Sequence, residues 1–172
     1  MKRMAAPLLA AAACVAASAC SKEPALRTEE PAQLVEDLAR RLIPPARSWL
    51  AEEESRDESF SLRHPSSAEI SRLAIGFLSL VSHARSLLGP FLPPETRGQP
   101  LTPDLSQTFR VLATSLGGAT ADEVTAAEES RTPNSARVRL TIAAPGREAQ
   151  SWILSLSRDE KVWRFTAAPR RG

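Results

Sequence analysis

The chain has 172 residues, 42% of them hydrophobic and 24% charged, with 22 Lys+Arg against 20 Asp+Glu. That near balance, without a basic cluster, gives no reason to expect nucleic acid as a partner. Two cysteines are too few for a disulfide scaffold, and the length suits one domain of ordinary size.

The chain opens with Met1-Lys2-Arg3-Met4, continues as an Ala/Leu-rich stretch from Ala5 to about Ala17, and then turns to small residues. A positive start, a short apolar run and small residues make up a secretory leader. The run is shorter than the about 20 strongly apolar residues of a spanning helix, so it is expected to be removed. Two cleavage outcomes compete. Ala17-Ser18-Ala19 is an A-x-A site, and a cut after Ala19 would release a soluble chain beginning at Cys20. The same residues with Cys20 resemble the lipobox of bacterial lipoproteins, with the departure that Ala17 stands where that family most often has Leu. The resemblance implies a diacylglyceryl group on the Cys20 thiol, cleavage before it and acylation of the new amine. Ser21 follows the cysteine, and by resemblance to enterobacterial sorting rules it implies the outer membrane, facing the periplasm.

Cys14 and Cys20 are the only cysteines, so one thiol remains beyond Ala19 and no internal disulfide can form there. Attachment is the use that suits such a thiol. Each buried methylene adds roughly 0.8 kcal/mol, and two or more chains anchor a protein stably without a spanning helix. Taking residues 1–19 from the 172 leaves 153, and with Lys2 and Arg3 gone the basic and acidic residues are equal in number. Residues 20–28 form a polar tether, and 29–172 form a single domain with helices over about 29–118 and strands over about 123–168.

Thr28 is placed to cap a helix, with Glu29 and Glu30 in its first turn and Pro31 tolerated there. Leu34, Val35, Leu38, Leu42 and Ile43 recur at helical spacing until Pro44-Pro45, where a break is expected; a shorter helix follows through Trp49 and Leu50. Residues 55–67 have turn composition. Ser66 and Glu69 make a capping box for a helix to about Leu88. Its apolar half holds Ile70, Leu73, Ala74, Phe77, Leu78, Leu80, Val81, Ala84, Leu87 and Leu88. Ser71, Arg72, Ser79, Ser82, His83 and Ser86 lie opposite, with Ile75 out of place among them. Gly89-Pro90 ends the helix.

Residues 89–101 form a Pro-rich loop carrying Phe91 and Leu92, either an interaction loop or two side chains tucked into the core. Thr102-Pro103 restarts a helix striped by Leu105, Phe109, Leu112 and Leu116 and closed by Gly117-Gly118. After Asp122 the hydrophobic period changes from 3.6 to 2. Val138, Leu140 and Ile142, then Trp152, Leu154 and Leu156, then Trp163, Phe165 and Ala167 alternate with polar neighbours. A weaker run spans Val124 to Glu129, and "RTPNS", "APGRE" and "SRDEK" are turn signals between the runs. The expected fold is α+β, N-terminal amphipathic helices packed on a C-terminal four-stranded antiparallel meander.

That order, with the closing "WILSLSRDEKVWRFTAA", resembles the NTF2-like superfamily over about residues 66–168. The resemblance implies helices cradling a curved sheet, and in the enzymes of the group an Asp or His in the cavity between them. Here the inward strand positions are apolar. Asp104, Asp122 and Asp159 suit capping and turn roles, Glu52-Glu53-Glu54 a solvated helix face, and His64 and His83 polar surroundings. Spacings for zinc, a nucleophile elbow or a phosphate loop do not occur, so no catalytic residue, metal ligand or cofactor-binding residue is assigned. Arg137, Arg139 and Arg164 are expected on the outer sheet face, exposed to solvent or available to an anion or a partner protein, and Arg170-Arg171 at a solvated end. The expectation is a non-enzymatic cell-envelope lipoprotein, held to the membrane through its N-terminal lipid and binding an envelope protein or a small apolar ligand. The rivals are an exported NTF2-like enzyme with an unplaced acid–base residue, and a spacer without a ligand.

Overall fold

A computed structural model of the chain describes residues 25–57 and 67–172. The leader, Ala19, Cys20, His64 and the capping Ser66 lie outside the described residues. Helices α1 (Pro31–Asp57), α2 (Ser67–Leu88) and α3 (Pro103–Gly117) come first. Strands β1 (Val124–Arg131), β2 (Ser135–Ile142), β3 (Gln150–Asp159), β4 (Val162–Phe165) and β5 (Arg170–Arg171) follow. The fold is α+β, with an antiparallel sheet in the order β1-β2-β3-β4.

The break expected at Pro44-Pro45 does not occur: α1 runs through both prolines as one helix. Each proline withholds an amide that would bond the carbonyl four residues back, at a cost of about 3 kcal/mol in a helix interior. Burial on both sides of the pair offsets it. Leu34, Val35, Leu38, Leu42 and Ile43 before it, and Ala46 and Trp49 after it, are all buried, whereas Pro44 is exposed. Stopping the helix would take Ala46 and Trp49 off the core. Past the prolines, Arg47 donates from NH2 to the Ala119 carbonyl at 2.6 Å, tying α1 to the end of α3.

In α2 the buried stripe is narrower than half the wheel. Phe77, Leu80, Val81 and Ala84 are buried, but Ala74 is exposed and Leu78 is 62% exposed, beside Ile75 at 64%. Leu78 is rotated 100° from Phe77, beyond the edge of a stripe that packs mainly against α1. Helix α3 starts as expected: the Thr102 hydroxyl accepts the Leu105 amide at 3.3 Å, with Pro103 at the first position.

Alternation turns Val138, Leu140, Ile142, Trp152, Leu154, Leu156, Trp163 and Phe165 toward the helices, and all are buried. Facing pairs such as Val138–Leu154, Leu140–Trp152 and Leu156–Phe165 set the register. Trp163 is wholly buried, and its Nε1–H donates to the Glu29 carbonyl at 3.1 Å, clamping the entry of α1 to β4.

The C-terminal end adds a short fifth strand, β5, in which Arg170 and Arg171 stay exposed as expected. Arg171 and Arg170 pair with Trp152 and Ile153, and the Gly172 amide donates to the Ser151 carbonyl at 2.9 Å. β4 and β5 thus follow one edge of β3 in succession. Between them the chain from Phe165 to Arg171 is two residues longer than the stretch of β3 it faces, from Leu156 to Trp152. The surplus bulges outward, and Ala167, expected inward beside Phe165, is exposed there.

Candidate functional site

The helices do not fill the space over the apolar face of the sheet. Between them lies a partly open cavity of about 460 Å³. Its wall has three sources: Val35, Leu38 and Leu42 from α1; Leu105, Phe109, Leu112 and Leu116 from α3; and Leu140, Leu154 and Phe165 from the sheet. Val81, Ala84 and Leu88 at the end of α2 and the loop over 89–101 complete it, with the bulge at residues 166–169 on the far rim. The volume falls within the range of about 300–1,000 Å³ typical of small-molecule sites. It would hold on the order of fifteen water-sized groups.

The Pro-rich loop is ordered by its own backbone. Two short 3₁₀ turns, Gly89–Phe91 and Pro94–Thr96, use prolines where no amide is needed. Side chains hold the rest: Arg97 donates to the Leu92 carbonyl at 3.2 Å and to the Pro90 carbonyl at 3.4 Å. Arg85 donates to the Gln99 carbonyl at 2.5 Å, and the Gln99 amide donates to the Glu95 carbonyl at 2.7 Å. Phe91 and Leu92, adjacent in sequence, part company. Phe91 is 5% exposed and belongs to the core, whereas Leu92 is half-buried and faces the cavity.

The lining sorts by burial. Leu38, Leu112, Leu116, Leu140 and Leu154 at the bottom are buried aliphatic groups; Arg85, Thr96, Arg97, Gln99 and Thr102 at the rim are exposed. Among the described residues that line the cavity none is Asp, Glu, His, Cys or Lys.

The other candidates are dispersed. Arg137 and Arg139 share the outer face of the sheet, but both reach Glu129, which the β1 bulge projects toward them. Arg164 is occupied by the Asp159 carboxylate at 3.0 Å and the Pro90 carbonyl at 2.9 Å. Arg137 also lines a second, partly open cavity of about 480 Å³ with Ile153, Ser155, Arg170 and Arg171, more polar than the first. Asp104 is exposed in the first turn of α3, Asp122 is exposed just before β1, and His83 is exposed on α2. Outside the cavity lining, Arg27 holds the Asp37 carboxyl below the usual carboxylate range, chiefly by hydrogen bonding to it; Asp37 in turn raises the Arg27 guanidinium. Glu30 does the same to Arg131. These pairs fasten the N-terminal segment to α1 and α1 to the β1 end of the sheet.

Among the described residues no group of three or more His, Cys, Asp or Glu is placed to hold a metal ion, and no helix is long and apolar enough to cross a membrane. Compared with known proteins, the chain matches no family model, no curated protein and no solved structure.

Proposed function

We propose that this is a bacterial cell-envelope lipoprotein whose NTF2-like domain binds a small apolar ligand in the cavity between helices and sheet. The observation that carries the binding reading is the cavity itself: a volume of about 460 Å³ walled mainly by aliphatic and aromatic side chains from α1, α3 and the sheet. An unfilled apolar volume costs stability, about 24 cal/mol per Å³ when enclosed. A spacer domain gains nothing from keeping one. The lining supports binding rather than acid–base chemistry, because that chemistry needs a titratable side chain at the reacting atom.

The leader pattern and the lone cysteine beyond it support anchoring through Cys20, at the outer membrane and facing the periplasm. Held there, the domain would sample apolar molecules at the membrane surface without entering the bilayer.

Two experiments test the two halves. A naphthylamine dye that fluoresces in apolar surroundings should bind with a one-to-one stoichiometry and lose that binding in Leu105→Trp, which pushes an indole into the cavity. Dye binding that the tryptophan leaves untouched would sink the cavity reading. Separately, the intact mass of the N-terminal peptide from native membranes should carry acyl chains on Cys20, and Cys20→Ala should release the protein from the membrane. An unmodified peptide in the soluble fraction would overturn the anchor and leave the ligand site standing.

A further inference from the structure

The rim of the cavity carries a charge that its body does not need. A purely hydrocarbon ligand would be served by the aliphatic wall alone, yet Arg85 from the last turn of α2 and Arg97 from the loop both stand at the opening. Each spends part of its guanidinium on loop carbonyls: Arg85 one NH2 donor on Gln99, Arg97 its Nε on Leu92 and NH2 on Pro90. The remaining donors, Nε and NH1 of Arg85 and NH1 of Arg97, have no acceptor among the described residues. Arg27, Arg40, Arg131, Arg139 and Arg164 each sit on a carboxylate; among the described residues Arg85 and Arg97 have none. The carboxylates nearest in sequence, Glu95 and Asp104, are exposed and form no part of the lining.

Two cations without a carboxylate at the mouth of an apolar cavity complement one class of molecule. We infer that the ligand is a single-chain amphiphile with an anionic head, carboxylate or phosphate. The head takes the free guanidinium donors of Arg85 and Arg97, and the hydrocarbon chain lies between α1, α3 and the sheet. This rests on the cavity being the ligand site. Guanidinium forks suit both anions because each offers paired oxygens to paired N–H groups. The chain-length capacity follows from a volume of on the order of fifteen methylene-sized groups, if a methylene fills about the space of a water.

The test is calorimetric titration of the full chain carrying Cys20→Ala, which frees it from detergent, with decanoate, decyl phosphate and decanol. At least one of the two anions should bind about tenfold or more tighter than decanol, the step expected from one charge-assisted hydrogen bond of about 1.4 kcal/mol or more. Arg85→Gln/Arg97→Gln should bring the anions down to the affinity of decanol and leave decanol within about twofold. Equal binding of all three by the parent chain, or an anion preference that survives the double glutamine variant, overturns the inference while the apolar cavity stands. Failure of all three to bind overturns the cavity reading as well. If the glutamine variant loses decanol too, the loop has lost its brace. Arg85→Lys/Arg97→Lys then decides, since it must still prefer an anion, and equal affinities there count against the inference.

Discussion

A β-carbon on Gly117 would lie 2.8 Å from the carbonyl oxygen of Ala46, so glycine is what lets the end of α3 rest against the backbone of α1. The atom it meets is backbone and cannot swing aside. Arg47, one residue on, bonds the Ala119 carbonyl just past that contact, so the two helices are joined where α1 leaves its prolines. Gly117→Ala should therefore destabilise, although alanine is the better helix former by about 1 kcal/mol. Overpacking costs typically about 1–3 kcal/mol. A net loss of about 1–2 kcal/mol in urea denaturation is expected, and an unchanged or raised midpoint would mean the helices separate freely.

Phe91 and Leu92 divide stability from binding within one loop. Phe91 is buried against the core, and Phe91→Ala should cost about 3 kcal/mol or more, the usual range for deleting a buried aromatic ring. Leu92 is half-buried and faces the cavity. Leu92→Ala should lower the melting temperature far less and weaken dye binding several-fold. Parallel thermal melts and dye titrations on the two variants check this. Equal effects of both variants in both assays would show that the loop acts as one packed unit.

The α+β order is legible because the hydrophobic period switches from 3.6 to 2 after Asp122, and each inward strand residue from Val138 to Phe165 follows it into the core. Periodicity is blind to volume, however. It reports that Leu38, Leu112, Leu140 and Leu154 face inward, not that the space among them is incompletely filled, so the cavity is invisible until the layers are placed. The Pro-rich loop over 89–101 is the one sequence signal near it, through length alone. β5 escapes because Arg170 and Arg171 are both exposed and show no apolar alternation, and their pairing with β3 is a backbone matter. The outward Arg137 and Arg139 are legible as a face, but Glu129 reaches them only through a bulge that alternation does not announce.

The Arg27–Asp37 pair makes part of the stability depend on pH. Arg27 donates to Asp37 through its amide, Nε and NH2, the last at 2.8 Å, and this holds the folded carboxyl below its usual range. A depressed folded pKa adds stability that is present above the unfolded value of about 3.9. That stability is lost as pH falls through the folded one. Asp37→Asn should thus be less stable than the parent at neutral pH, and the gap should close as the pH drops below the ordinary carboxylate range. Urea midpoints for both chains across that range check it. A gap that stays constant with pH would assign the effect to packing rather than charge.

Pro44 offers the opposite kind of change, a gain. It is exposed, so it contributes little packing, and its ring withholds a helical amide while disfavouring the helical conformation of Ile43 before it. Pro44→Ala restores the donor, against which the more flexible unfolded chain takes back about 0.4–1 kcal/mol. The balance favours the variant by about 1–2 kcal/mol, read as a higher urea midpoint at an unchanged slope. Pro45 is half-buried, so the same exchange there removes ring contacts and should gain less. If Pro44→Ala instead lowers the midpoint, the proline sets the direction in which α1 delivers Ala46 and Trp49 to the core. The contact between Ala46 and Gly117 would then depend on it, and combining Pro44→Ala with Gly117→Ala should give a loss smaller than the sum of the two.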